Sequence, residues 1–299
     1  MTTRAVPLYL NPTAGRGRAG RRISRIEELF AQSDIPIEVY RSRAVGDLEE
    51  QVSAEVTGGA DRILIAGGDG SVHEAVNGIM RAGGQSRLGV VPTGTGNDFA
   101  KACGMPLDWE NATRLLAGRL ASTGTWRTID IGRMNERFFA NGAGIGFDAK
   151  VTRIARSYRL PIGDLVYLLA IFRCMLDGIA TPDMKIEAED FRWTGPITLA
   201  SISNGAWIGG MFNIAPMADN TDGQLELMIA DPVSRRRILS LIPKLMRGDH
   251  VTASEITHVS VRRLRIEASA PLESHLDGEM QNPSRNFDIE ILPAALDLL

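Results

Sequence analysis

The 299-residue sequence predicts an α/β domain followed by a second, mainly antiparallel β domain, and three features predict it. Apolar strand-like runs alternate with helix-like segments as far as Gly104. Two of the strand-to-helix junctions, Gly67-Gly68-Asp69-Gly70-Ser71 and Pro92-Thr93-Gly94-Thr95-Gly96-Asn97-Asp98, are glycine loops that carry an acid. Beyond Gly104 strand signals dominate, which is the pattern of a separate β domain and not of a continued parallel sheet.

Residues 6–10 read as the first strand, and Asn11, Pro12, Thr13, Ala14 and Gly15 as a turn whose small residues let backbone approach a ligand. Ile23, Ile26, Leu29 and Phe30 then recur at helical spacing. Arg16, Arg18, Arg21, Arg22 and Arg25 share that helix; a solvated face is the favoured reading for most of them, and contact with phosphate or anionic lipid is the other. Residues 37–40 form a second strand, and Gly46-Asp47 opens a helix to about residue 56.

Ile63, Leu64, Ile65 and Ala66 make a continuous apolar run, as in a strand buried on both faces, and Gly67, Gly68 and Gly70 let the chain turn without Cβ clashes. Ser71 followed by Glu74 reads as a capping box, with Val72, Ala75, Val76 and Ile79 as an apolar face that ends at Gly83-Gly84. Residues 88–91 give a fourth strand before the second glycine loop. Two such loops at strand carboxyl ends converge on one crevice of a parallel sheet.

Amides at a helix N-terminus attract phosphate. A carboxylate such as Asp69 would repel it unless a cation intervened, so this acid implies magnesium beside a nucleotide. The other reading is a turn in which Asp69 serves geometry alone.

In the second half, residues 109–117 look helical, and 127–132, 137–141, 197–203, 225–230, 256–268 and 287–292 look like strands. The domain boundary is expected near Trp126. That gives residues 1–126 as the α/β domain, rejoined by 287–299 if the last strand returns to it, and 127–286 as the β domain. Residues 149–177 form a helical insertion carrying Arg153, Arg156 and Arg159, read either as a lid touching anionic membrane or as a helix pair packed on the sheet. Gly142-Ala143-Gly144-Ile145-Gly146 is one residue short of a dinucleotide loop and is read as close-packed backbone near the site. His275-Leu276-Asp277-Gly278-Glu279 sets two acids in a turn, where a carboxylate could take a proton from an attacking hydroxyl; Asp-Gly is also an ordinary hairpin turn.

Composition narrows the classes. A hydrophobic content of 44% and 23% charged residues suit a packed core, and a net charge of −3 argues against a generally basic nucleic-acid binder. Cys103 and Cys174 have no metal-ligand spacing and are expected as reduced thiols in a cytosolic protein. Residues 1–6 lack the apolar core of a signal peptide, and the longest apolar run, 165–172, is too short to cross a bilayer. There is no Walker A loop, and His73-Glu74 lacks the second His of a zinc-protease helix.

Taken together, Gly67 to Glu74, Pro92 to Ala100 and Leu276-Asp277-Gly278-Glu279 resemble the diacylglycerol kinase catalytic-domain family of lipid kinases, particularly its soluble bacterial members, and the likeness extends to Asn11 through Gly15. The resemblance implies an NAD-kinase-like α/β domain followed by a β-sandwich. It implies ATP contacts at Asn11, Pro12, Thr13, Ala14, Gly15, Ser42, Gly68, Asp69, Gly70, Ser71, Val72, His73, Glu74 and Thr95. Catalytic magnesium would fall to Asp69, Asp98 and Asp130, the general base to Asp277, and a metal or nucleotide contact to Glu279. A second, structural magnesium is implied on Asp219, Asp222 and Gln224, although Asp219-Asn220-Thr221-Asp222-Gly223-Gln224 also reads as a plain turn.

Ser71, His73 and Ser42 stand where Thr, Asn and Thr are usual, and His73 is expected at the surface. The implied activity is ATP-dependent phosphorylation of a membrane lipid, diacylglycerol first, then phosphatidylglycerol or a sphingoid base. An NAD kinase and a non-catalytic binding module are the further alternatives. The implied setting is cytoplasmic, with transient membrane contact, no nucleic acid, and a homodimer left open.

Overall fold

The computed structural model describes residues 5–122, 127–158 and 162–299, with the side chain of Arg16 set aside. The boundary expected at Trp126 and the cation Arg159 both lie outside the described residues. The chain divides into two compact units, Met1–Ile129 with Ala294–Leu299, and Asp130–Pro293.

In the first unit the elements alternate: β1 (Val6–Leu10), α1 (Ala14–Ala31), β2 (Ile37–Arg41), α2 (Asp47–Thr57), β3 (Arg62–Gly67), α3 (Asp69–Arg81), β4 (Arg87–Pro92), α4 (Asp98–Ala102) and α5 (Trp109–Ala121). The strands are parallel in the order β4-β3-β1-β2, and Leu298 near the chain end pairs in parallel with Leu88. Helices cover the strands, so β1, β3 and β4 are buried along nearly their whole length, which their unbroken apolar runs require. Leu8, Leu10, Ile26, Phe30, Leu64 and Val91 form the core on the α1 and α5 side.

Because the connections are parallel crossovers, the loops into α1, α3 and α4 all leave from strand carboxyl ends. Helix α3 is capped three residues earlier than the capping box at Ser71 would place it. Gly68 is extended at φ −107° and ψ −168° and caps the helix, leaving Ser71 inside it and buried. Glu74 accepts instead from the backbone N–H of Leu48 at 3.1 Å and ties α3 to the start of α2.

The second unit is a β-sandwich with helices on it. Its elements are β5 (Arg127–Met134), β6 (Arg137–Phe139), β7 (Gly142–Gly146), α6 (Phe147–Ser157), α7 (Leu165–Asp177), β8 (Asp183–Ala188), β9 (Arg192–Pro196), β10 (Leu199–Ser203), β11 (Trp207–Ile208), β12 (Phe212–Asn213), β13 (Leu225–Ala230), α8 (Arg235–Arg247), β14 (Ile256–Val261), β15 (Arg263–Leu276) and β16 (Glu279–Leu298). The strands run β14-β13-β10-β7-β15-β16 with antiparallel neighbours, and the β8-β9 hairpin pairs along β15. Ile145, Ile186, Ile202, Leu227, Ile266 and Phe287 lie at the centre of its core. Strand β16 ends in the residues that belong to the first unit.

The single strand expected over 256–268 is two strands that break at Arg262 and go to different partners, β14 to β13 and β15 to β16, β7 and β8. The second of them continues to Leu276 and so delivers the Asp-Gly turn. Val151, Ile154, Ala170, Ile171, Cys174 and Ile238 gather α6, α7 and α8 around a separate apolar cluster.

Candidate active site

In the first unit three loops meet. The Asp69 carboxylate accepts the N–H of Phe99 at 3.1 Å, and the Thr93 N–H is donated to Gly67 O at 2.9 Å, so the two glycine loops are cross-linked. Their backbones touch: a Cβ on Gly94 would stand 2.5 Å from the Cα of Gly68 and 2.7 Å from Asn97 Oδ1. Arg18 adds the third loop, donating to Gly15 O at 2.9 Å, Gly94 O at 3.3 Å and Thr95 Oγ1 at 3.1 Å. Most of the arginine cluster was expected to be a solvated face, and Arg18 departs from that because three acceptors lie within its reach. Arg22 lies over the ring of Trp109 at 5.0 Å, and burial lowers its pKa.

The remaining nucleotide candidates sort by what they offer. Asn11 Oδ1 accepts from the N–H and hydroxyl of Thr13, which shapes the turn after β1, and the Ser42 N–H reaches Leu10 O beside it. Ser71, Val72 and His73 are buried, and the N–H groups of Ser71 and Val72 close onto Gly68 O. His73 is therefore no surface residue. The α3 face that points inward carries it with Val76 and Asn77, whose side-chain amide donates to His73 O at 2.9 Å. Asp98 begins α4 after Asn97 at φ +51°, is nearly buried, and lies 3.3 Å from Lys101 Nζ.

The second unit holds the acid turn. Asp277 and Gly278 link β15 to β16 with φ values of +51° and +85°, and Leu276 pairs with Glu279 across them. This is the left-handed two-residue turn that Asp-Gly favours. The Asp277 carboxylate folds back over the start of β7, where Oδ1 accepts from Asn141 N at 2.8 Å and Gly142 N at 3.0 Å, and Oδ2 from Ala140 N at 3.0 Å. Glu279 pairs with Arg156 at 2.6 Å. Burial works against the Arg156 charge, yet the hydrogen bond and charge of Glu279 prevail and raise its pKa.

Arg153 is likewise paired, with Glu273 at 2.8 Å. Two of the three arginines expected to meet lipid head groups are thus held within the unit by its own acids. One buried amide completes the neighbourhood: the Asn204 side chain donates to Asp130 O and Ala140 O at 2.8 Å each.

Asp130 is joined to the 219–224 loop, receiving Gly223 N at 2.7 Å while its own N–H goes to Asn220 O at 2.8 Å. In that loop Asp219 accepts from the Thr221 N–H and hydroxyl, and Asp222 accepts from Gln224 N at 2.9 Å. Burial raises the Asp222 pKa, with Asp219, Glu226 and Asp130 adding to the rise and the Gln224 bond opposing it. Among the described residues no three His, Cys, Asp or Glu side chains are grouped to hold a metal by themselves. A cation on these acids would draw its other ligands from phosphate, carbonyl or water oxygens, as magnesium commonly does.

Sequence reasoning missed Arg18, Asp148 and His275 as parts of these sites. Arg18 stands three residues after Gly15 and Asp148 two residues after Gly146, while His275 opens the stretch that was read for Asp277 and Glu279.

Residues 6–134 match the sequence model of the diacylglycerol kinase catalytic domain, and residues 142–299 that of the YegS C-terminal NAD kinase beta sandwich-like domain. The chain is 31% identical to the diacylglycerol kinase of Mycobacterium tuberculosis (strain H37Rv), with 98% of this chain and 94% of that protein covered. It is 29% identical to the diacylglycerol kinase of Bacillus subtilis (strain 168), over 91% of this chain and 88% of the other. Identity is 32% to the "Probable lipid kinase YegS-like" of Pectobacterium atrosepticum, over 84% and 82%. The fold is also that of the crystal structure of a diacylglycerol kinase from Bacillus anthracis str. Sterne, with a TM-score of 0.76 at 22% identity, covering 100% of this chain and 97% of that one.

Proposed function

Given that the chain belongs to the diacylglycerol kinase catalytic-domain family and is a lipid kinase, we propose that it transfers the γ-phosphate of ATP to a membrane-lipid hydroxyl, most directly that of diacylglycerol to give phosphatidic acid. The observation that carries this reading is the Asp277 carboxylate, oriented by three backbone N–H groups at the tip of the β15-β16 hairpin. In phosphoryl transfer most of the catalytic effect comes from positioning and charge, so a fixed carboxylate suffices to align the attacking hydroxyl and receive its proton.

The cross-linked loops of the first unit supply the nucleotide side. Gly68 and Gly94 keep the loops at backbone contact, and Thr95 and the Asn11–Gly15 turn lie beside them, tied through Arg18. Asp69 and Asp98, with Asp130 of the second unit, would hold magnesium directly or through water. When bound, that ion offsets phosphate charge. Asp219, Asp222 and Gln224 would hold a second, structural one.

A lipid acceptor is supported by an apolar cavity of about 100 Å³ in the second unit, lined by Phe147, Ile171, Met228, Ile242, Leu245 and His250 among others. An apolar recess of this kind favours an apolar occupant such as an acyl chain. Transient membrane contact has its own support. Leu165, Leu169, Phe172 and Leu176 recur at helical spacing along the outer face of α7, and all four are exposed. Helix α8 exposes Leu239 and Met246 among five cations and no acid. Apolar and cationic groups side by side suit an anionic bilayer surface. Among the described residues no helix is long and apolar enough to cross a membrane.

The test is to incubate the protein with γ-labelled ATP, magnesium and separate preparations of diacylglycerol, phosphatidylglycerol, a sphingoid base and NAD. Label in phosphatidic acid supports the reading. Label in NAD alone, or in no product, contradicts it.

A further inference from the structure

The hairpin that carries Asp277 is held by side chains of β15 and α6. His275 is fully buried two residues before Asp277 on β15. Its Nδ1 accepts the N–H of Gly278 at 3.3 Å, and its Nε2 meets Asp148 Oδ2 at 3.2 Å. An imidazole nitrogen that accepts from an N–H carries no proton of its own, so the neutral ring is protonated on Nε2 and donates to the Asp148 carboxylate. The same α6 that presents Asp148 presents Arg156, eight residues on, and Arg156 donates to Gly278 O at 3.0 Å.

Both backbone polar groups of Gly278 are therefore held by buried or ion-paired side chains. The space for this arrangement is built into the neighbouring strand. A Cβ on Gly144 would stand 2.2 Å from Asp148 Oδ2 and 2.4 Å from His275 Nε2, so the His275–Asp148 contact exists because position 144 has no side chain.

A histidine buried beneath a hairpin is most simply a core residue with its hydrogen bonds satisfied. Three features go beyond that. The bond commits one ring nitrogen to the turn itself, the other ring nitrogen is fixed by a carboxylate that selects the tautomer able to do so, and the carbonyl of the same residue, in the next peptide unit, is held by Arg156. The turn needs such support. Asp277 is a non-glycine residue in the left-handed region, and the direction of its carboxylate follows from the conformation of the Asp277-Gly278 pair.

We propose that His275, set by Asp148, is a positioning residue for Asp277, and that with Arg156 it clamps Gly278 so that the carboxylate keeps one direction during turnover. The proposal rests on the assignment of Asp277 as the proton acceptor in lipid phosphorylation. It adds a dependence of turnover on residues that touch neither nucleotide nor lipid.

Two isosteric substitutions separate the two bonds of the ring. His275→Asn keeps an acceptor at the Nδ1 position for the Gly278 N–H and gives up the contact with Asp148. His275→Gln keeps a donor near the Nε2 position for Asp148 and gives up the acceptor for Gly278. In the full chain with ATP, magnesium and diacylglycerol vesicles, His275→Gln is expected to lower kcat by about tenfold or more, as small misplacements of a reacting group do, and His275→Asn by about threefold or less. Both should leave the KM for ATP within about twofold, since no nucleotide group is touched. Equal kcat in the two variants, or the larger loss in His275→Asn, overturns the proposal.

A nitrogen-15 spectrum of the histidines in the unmodified protein provides a second measurement that does not depend on activity. A neutral His275 with its proton on Nε2 is expected, moving to another form in Asp148→Ala. A proton on Nδ1 overturns the clamp even if lipid phosphorylation is established, whereas a wild-type protein that labels no lipid counts against the function and leaves the spectrum to decide the clamp.

Discussion

Asp69 and Phe99, thirty residues apart, meet where the Asp69 carboxylate accepts the Phe99 backbone N–H at 3.1 Å. This bond fastens the first helix turn after β3 to the first helix turn after β4, and makes one surface from two loops. The acid that looked misplaced at a phosphate-attracting helix end thus has a structural task, whether or not it also faces a cation. Its bond to a backbone amide leaves the carboxylate charge in place beside the amides of α3 and α4.

The first prediction concerns the contact between these loops. With 2.5 Å between a Cβ on Gly94 and the Cα of Gly68, Gly94→Ala must push the loops apart. Overpacking of this kind costs roughly 1–3 kcal/mol of stability, and it should also weaken ATP binding by about tenfold or more. Denaturant unfolding and equilibrium titration with ATP check both effects. Unchanged ATP affinity would mean that the nucleotide does not use this surface.

The second concerns the apolar cavity in the β-sandwich unit. Ile242→Trp would place an aromatic ring in a space of about 100 Å³ next to Leu245 and Ile171. If an acyl chain enters there, the variant should discriminate by chain length, with turnover of long-chain diacylglycerol reduced by about tenfold and that of short-chain substrate by much less. A uniform reduction for both lengths would place the acyl chain elsewhere.

A third prediction follows from His250, which lines the same cavity. Burial lowers its pKa from 6.5, and Nε2 is bonded to Ile214 O at 3.0 Å. For a histidine whose folded-state pKa is depressed, protonation favours the unfolded chain. Its stabilising contribution is full above the unfolded value of 6.5, falls away as the pH drops through that value towards the folded one, and then levels off. Urea unfolding between about pH 8 and pH 5 should therefore show a steeper loss of stability in the wild type than in His250→Gln. Parallel curves would show that His250 titrates alike in both states.

Much of the first unit could be read from the sequence because its signals are local. A strand buried on both faces must be continuously apolar, and a backbone crossing at contact distance must be glycine, so residues 62–70 and 88–98 announce both the sheet and the loops. The Asp-Gly pair likewise selects its own turn. What could not be read depends on partners far along the chain. Arg18 looks like any helix arginine until Gly94 and Thr95 arrive 76 and 77 residues later. Arg153 and Arg156 look like free cations until β15 and β16 bring Glu273 and Glu279 to them.

The break at Arg262 was hidden because two strands in succession, without a turn signal between them, look like one. Helix α8 was hidden by its own composition, being rich in arginine and carrying Pro243 in its interior. His73 could have been placed correctly from periodicity, since it lies three residues before Val76 on the inward face of α3.

The role of Asp277 as proton acceptor is tested most directly by Asp277→Asn. The amide keeps the size of the carboxylate but cannot take up a proton. Turnover of labelled ATP onto diacylglycerol should fall by about 10³-fold, within the range for loss of a general base, while the Kd for ATP stays within about threefold of the wild type. Turnover close to that of the wild type would contradict the assignment and the mechanism built on it.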